Sequence, residues 1–202
     1  MRISILLLLA LAIGCASSPS GSKSITSEAE YRSTLARAEE LSRDGLQKIN
    51  LDEELTEMDR ANLSEAATEF EALVAFKPDQ FAPHLALGMV YRGLGNPGAA
   101  ERNLKECLRK LPKEESLPVK ATKNEAHYQL SRILTDKGDY REALAEVEIA
   151  ALSDPQNPNY EVGRASALAQ LGRKSEAISA LDRALKLDPQ HRRARGLRKL
   201  LN

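Results

Sequence analysis

The sequence predicts an all-α fold, a solenoid of antiparallel helix pairs, and three observations carry that expectation. First, the chain repeats itself. Residues 124–157 set above residues 158–191 place Gly138 on Gly172, Ala143 on Ala177, Ala150 on Ala184 and Asp154-Pro155 on Asp188-Pro189. Residues 81–114 form a third copy, with Gly88, Tyr91, Gly95, Ala100 and Pro112 at matching places. A period of about 34 residues that holds two helical patterns is the mark of a solenoid. Second, each copy is punctuated by glycine in its middle and proline at its end. Third, the chain is 4% aromatic and has no tryptophan, which suits alanine- and leucine-rich helix pairs better than a sandwich or barrel.

Each element follows from local chemistry. Gly95, Gly138 and Gly172 supply the left-handed residue that stops a first helix without a Cβ penalty. Asn96-Pro97 reads as an N-cap followed by proline at the first helical position. Asp139 with Glu142 reads as a capping box. Ala100, Ala143 and Ala177 are small residues expected where paired helices cross, and Leu104, Val147 and Leu181 follow one turn later as core. Cys107, Ala150 and Ala184 take the second small position, and Pro112, Pro155 and Pro189 close the second helices.

This pattern resembles the tetratricopeptide repeat family, over residues 81–114, 124–157 and 158–191. Glu161 and Arg164 stand where that family places bulky apolar residues, which predicts a looser interface built on Val162, Ala165, Leu168 and Leu171. Gly95 and Gly138 are 43 residues apart rather than 34, so residues 115–123 read as an inter-repeat insertion. Pro118 argues against one helix through them, and Thr122 with Glu125 resembles the cap of the next.

Upstream, residues 28–80 read as a degenerate repeat. Ala66, Phe70, Leu73 and Pro78 fit the second-helix anchors. Glu53, Glu54 and Glu57 fall on apolar positions of the missing first helix. A helix over residues 28–49 substitutes, with Tyr31, Leu35, Ala38, Leu41, Leu46 and Ile49 at helical spacing and a Ser27–Glu30 capping box. Residues 50–61 are then an acidic insertion, partly helical through Leu51, Leu55 and Met58.

Residues 1–14 read as a signal peptide: Met1-Arg2, then residues 3–14 without a charge, too short for the ~20 apolar residues that span a bilayer. Leu11-Ala12-Ile13-Gly14-Cys15 resembles the bacterial lipobox. The resemblance implies cleavage after Gly14, lipid attachment at Cys15 and a place in the cell envelope, facing the periplasm. The other reading is a secreted or periplasmic protein cut near Cys15-Ala16-Ser17 without lipid. Residues 16–27, with six serines, Pro19 and Gly21, are expected to form with Cys15 a flexible tether of roughly 20 Å.

Charge and chemistry narrow the function. Residues 28–71 hold 13 acidic and 5 basic side chains, a net of −8, whereas residues 72–202 hold 16 and 22, a net of +6. Residues 192–202 are read as a basic capping helix with Arg192, Arg193, Arg195, Arg198 and Lys199; contact with anionic lipid is the sharper alternative. Nucleic acid is not expected, because no aromatic residues interleave for base stacking. His84, His127 and His191 form no metal-ligand pattern, and His84 and His127 share one repeat position that is normally for packing. Cys107 is expected as a buried free thiol. Nucleophile elbow and phosphate-cradling loop are absent from the sequence, so an enzyme, a cofactor and a small-molecule substrate are not expected.

The family resemblance implies a concave groove lined by the first helices. Its inward positions fall on Leu85, Met89 and Arg92, on Tyr128, Arg132 and Asp136, and on Val162, Ser166 and Gln170. Plain packing between repeats fits the same positions. Leu85 and Met89 stand where some relatives place the lysine and asparagine of a carboxylate clamp. Two functions remain open: a membrane-anchored adaptor or assembly factor that holds a protein or peptide partner, and a self-associating structural module.

Overall fold

A computed structural model describes residues 24–51, 53–114 and 116–201. The signal-peptide segment, Cys15 and the tether as far as residue 23 lie outside the described residues. Among the described residues there are nine helices and no strand: α1 (Glu28–Asn50), α2 (Glu57–Phe76), α3 (Phe81–Gly93), α4 (Pro97–Lys110), α5 (Leu117–Lys137), α6 (Tyr140–Ser153), α7 (Pro158–Gln170), α8 (Lys174–Leu187) and α9 (Arg192–Leu200). The fold is a tetratricopeptide-repeat solenoid. Odd-numbered helices touch the next odd-numbered helix along the chain, while even-numbered helices pack only on odd ones. That pattern makes an inner layer of α1, α3, α5, α7 and α9 and an outer layer of the rest. None of the described helices is long and apolar enough to cross a membrane.

The repeat anchors sit where chain geometry needs them. Gly95, Gly138 and Gly172 adopt φ of 74°, 88° and 74°, the left-handed region that glycine occupies without strain. Asn96 accepts a hydrogen bond from the Ala99 N–H at 3.1 Å, and Pro97 opens α4. Ala100, Ala143, Ala177, Cys107, Ala150 and Ala184 are fully buried, as are Leu104, Val147 and Leu181. Burying each of these three larger side chains stabilises the fold by about 1.5–3 kcal/mol relative to leaving it exposed. Gly88 marks a close crossing of α3 and α4: a Cβ there would lie 2.5 Å from Leu104 Cγ.

Several local expectations are corrected. Residues 117–123 are helical, because α5 begins at Leu117 with Pro118 in its first turn. Proline is tolerated there, since the first N–H groups of a helix have no intrahelical acceptor. Asp139 makes no capping bond; its carboxylate lies 3.7 Å from Lys137 Nζ instead. Residues 57–61 belong to α2, whose start is fixed by a capping box between Thr56 and Asp59, so the acidic insertion contracts to a short loop with Leu51 and Met58 exposed on either side. The tether stops short of residue 27, because Ile25 is buried against the first hydrophobic cluster. Ser27 accepts from the Glu30 N–H, but the Glu30 carboxylate reaches back to Thr26, accepting from its N–H at 2.9 Å and its hydroxyl at 3.0 Å. At the α7 interface the two charged residues are paired, beside a hollow between α6 and α7 that both of them line. Glu161 is buried and lies 2.9 Å from Arg183, and Arg164 lies 3.5 Å from Glu148.

Candidate binding groove

The inner layer encloses a cavity of about 260 Å³ lined by Arg92 of α3, Ser131, Arg132, Thr135 and Asp136 of α5, Gly163 and Ser166 of α7, and Arg193 of α9. Four helices contribute, each one repeat further along the solenoid. Of the nine inward positions read from sequence, Arg92, Arg132, Asp136 and Ser166 meet here. Leu85 and Met89 are half-buried on α3, and Gln170 is exposed beyond the cavity on α7.

Tyr128 and Val162 are corrections to the groove reading, since both are buried packing residues. Val162 is fully buried, and Tyr128 is 5% exposed with its ring 5.3 Å from that of Tyr160. They form part of the core under the cavity, between α5 and α7. Burial also pushes the Tyr160 hydroxyl well above the usual phenol range.

Hydrogen bonds help to position the arginines. Arg92 Nε donates to Gln129 Oε1 at 3.0 Å, and Arg132 Nη2 to the carbonyl of Ile49 at 3.4 Å. Arg132 also lies 5.8 Å from the Tyr128 ring centroid, within cation–π range. Arg193 Nη1 donates to the Tyr128 hydroxyl at 3.2 Å. The hydroxyls of Ser131 and Thr135 bond back to their own helix, to the carbonyls of Tyr128 at 2.7 Å and Ser131 at 2.8 Å. Gly163 lets α7 pack closely on α5 and α6: a Cβ would sit 3.1 Å from both Tyr128 Cε2 and Val147 Cγ2.

Sequence reasoning missed Ser131, Thr135, Gly163 and Arg193. Arg193 was hidden in the charge run of the terminal helix, and only the folding of α9 back along α7 brings it to α5. Beside it, Arg192 lies 3.5 Å from Glu53 in the loop between α1 and α2, an exposed ion pair.

The histidines are structural. His84 Nδ1 lies 3.1 Å from Asn103 Oδ1, and His127 Nδ1 lies 2.6 Å from Glu146 Oε2, the same helix-to-helix link in two successive repeats. Among the described residues no cluster of histidine, cysteine or acidic side chains could hold a metal ion. Cys107 is a buried free thiol whose pKa burial pushes up to about 12.

The helix pairs and their inner layer define an all-α protein with the tetratricopeptide-repeat solenoid fold. Residues 128–192 match the Tetratricopeptide repeat family. A segment of 62 residues is 42% identical to the TPR repeat-containing thioredoxin TTL4 of Arabidopsis thaliana, covering 31% of this chain and 9% of that protein's length. Solved structures share the fold over most of the chain. MamA (41-end) from Desulfovibrio magneticus RS-1 aligns with TM-score 0.61 and 16% identity over 82% of this chain and 84% of that one. The APC/C hetero-tetramer Cut9-Hcn1 aligns with TM-score 0.65 and 18% identity over 86% of this chain and 32% of the other.

Proposed function

We propose that this protein is a non-catalytic interaction scaffold, a membrane-anchored adaptor or assembly factor of the bacterial cell envelope that holds a segment of a partner protein on its inner helical layer. The observation that carries the reading is the cavity itself, a polar recess to which four successive inner helices each bring a side chain. Its volume of about 260 Å³ falls below the range of about 300–1,000 Å³ usual for small-molecule sites. It suits one or two side chains of a docked chain. The anchor rests on Cys15 behind its lipobox-like run, and the several acyl chains of a bacterial lipoprotein would hold the protein at the membrane essentially permanently.

The groove is tested by cross-linking and pull-down from native membranes with the wild type and with Ser166→Trp, which fills the cavity from a half-buried position. Loss of the captured partner with an unchanged helical circular dichroism spectrum is the expected result; retention overturns the groove. The anchor is tested separately. Cys15→Ser should move the protein from the membrane to the soluble fraction, and an intact mass of the wild type without an acyl adduct overturns lipidation.

One observation favours self-association as a second reading. Ile149 is 43% and Leu152 83% exposed on outer helix α6, and Leu152 edges a hollow with Ala151 and Pro155 on its apolar side and Glu148, Glu161 and Arg164 on its charged side. A dimer by light scattering that Leu152→Glu dissociates would establish that reading, and a monomer at all concentrations would remove it.

A further inference from the structure

We propose that the edge of the solenoid where α5 begins and α6 ends rests on a phospholipid bilayer, with Leu117 and Leu152 seated among the lipids. The inference rests on the anchor reading above and adds which face of the fold meets the membrane. Helices α3 and α7 start with their repeats, at Phe81 and Pro158, but α5 starts at Leu117, seven residues ahead of its repeat. Those residues add about 10 Å of helix. Leu117 in that first turn is 84% exposed, and Leu152 in the last turn of α6 is 83% exposed. Leu117 shares a hollow with Ser153 and Asp154, the residues that follow Leu152 in the chain. Neighbouring bare leucines, unlike a single one, mark a surface that meets a partner protein or a membrane. Lys113 and Lys120 are exposed on either side of Leu117 in the chain and can donate to lipid phosphates while their stems cover apolar surface. Glu114 is exposed there as well, so the leucines and not net charge lead the contact.

The place of the anchor selects the membrane over a protein. The start of α1 belongs to the same edge, through a run of contacts between neighbours. Lys77 at the end of α2 lies 2.6 Å from Glu28 at the start of α1, and Lys110 at the end of α4 lies 3.2 Å from Asp79 in the turn before α3. Leu108 and Leu111 at the end of α4 then share a hollow with Val119 and Lys120 of α5. Eight residues separate Cys15 from Ser24, the first described residue, and that much chain spans at most about 30 Å. A lipidated Cys15 therefore keeps the start of α1, and this edge with it, on the membrane side of the fold. Tethering raises the effective concentration of lipid at the leucines, so a contact too weak to hold a free protein suffices. The opposite edge, where α2 starts with Met58 69% exposed, is set apart from the anchor by the length of a helix.

The test places single tryptophans in a chain that has none. The lipidated full chain carrying Leu117→Trp, Leu152→Trp or Met58→Trp is reconstituted into vesicles of phosphatidylethanolamine and phosphatidylglycerol, with and without brominated acyl chains. Emission from Leu117→Trp and Leu152→Trp should shift to the blue and be quenched by the bromine, and emission from Met58→Trp should do neither. Leu117→Glu combined with Leu152→Trp should lower the quenching at that second position, while Cys15 still holds the protein on the vesicles. Equal quenching of all three, or Leu117→Trp emission that stays open to aqueous iodide, would overturn the proposal. So would a blue shift that grows with protein density and is not quenched by bromine, which would assign the leucines to a second copy of the chain. A wild type without an acyl adduct removes the anchor reading and the contact with it. An acylated protein whose Leu117→Trp emission is unquenched removes the contact alone.

Discussion

Arg193 donates a hydrogen bond to the hydroxyl of Tyr128 at 3.2 Å and so ties the last helix to α5, 65 residues earlier in the chain. The bond makes Tyr128 a structural residue of the C-terminal half, with its ring tilted against that of Tyr160 at 5.3 Å between centroids and its exposure only 5%. Tyr128→Phe keeps the ring and removes the acceptor, and should cost about 1 kcal/mol. Amide exchange in α9 should quicken more than in α3. Tyr128→Ala should cost about 3–5 kcal/mol through the cavity it leaves. Equal exchange rates in α9 for Tyr128→Phe and wild type would show that the bond does not hold that helix.

Two glycines of the same repeat should fail for different reasons. At Gly88 a Cβ would lie 2.5 Å from Leu104 Cγ, in a side chain that is fully buried and has no room to retreat. Gly88→Ala should therefore overpack the α3–α4 crossing and cost about 1–3 kcal/mol. At Gly95 nothing lies within 4 Å of a Cβ, but φ is 74°. Gly95→Ala should cost about 1–2 kcal/mol from the left-handed conformation alone. Gly95→Asn, which tolerates that region, should recover part of the loss where Gly88→Asn recovers none. Urea titrations of the four variants separate the two causes.

The sequence reveals what is set within one or two turns of chain. Glycine at a positive φ, proline after a helix end and alanine at a helix crossing each answer a local constraint, so the repeat register and the solenoid class are readable from residues alone. Pro118 misleads because the same residue breaks a helix in its interior and fits its first turn; only the position of α5's start decides between them. Asp139 misleads in a similar way, since a capping side chain competes with a nearby lysine and the loop geometry selects the lysine. The groove is the least legible part. Tyr128 and Arg132 share one helix face, yet Tyr128 becomes core because Tyr160 of the next repeat and Arg193 of the terminal helix fold onto it. No local pattern at Arg193 announces that contact.

Asp59 should make the fold sensitive to acid. Its carboxylate accepts hydrogen bonds from Lys48 Nζ at 2.6 Å, from the Thr56 hydroxyl at 2.6 Å and from the Thr56 N–H at 2.7 Å. The Lys48 bond first, then the two from Thr56, hold its pKa down at about 2. A depressed carboxylate stabilises the fold above its unfolded pKa of about 4 and loses that contribution as pH falls toward the folded value. The melting temperature of the wild type should therefore drop between pH 4 and pH 2 more steeply than that of Asp59→Asn. At pH 7 the variant should melt lower, because it loses the ion pair with Lys48 and weakens the cap of α2. Parallel melting curves across that pH range would place the acid sensitivity elsewhere.

Cys107 should report on the alkaline side. The thiol is fully buried between α4 and its neighbours, and burial raises its pKa to about 12. In the unfolded chain a thiol titrates near about 8.5. The unfolded state therefore releases its proton first as pH rises, and the contribution of Cys107 to stability is complete below about pH 8.5 and declines above it. The decline approaches about 1.4 kcal/mol per pH unit once the unfolded thiol is ionised. Lysines and tyrosines titrate in the same range, so the measurement is a difference: urea stability of wild type minus Cys107→Ala at pH 8, 9 and 10. That difference should shrink with rising pH. The same burial should make the native thiol inert to a water-soluble disulfide reagent at pH 8, with reaction only as fast as the fold opens. Rapid labelling of the native chain would mean that α4 separates from α3 and α5 far more readily than its buried alanines and leucine imply.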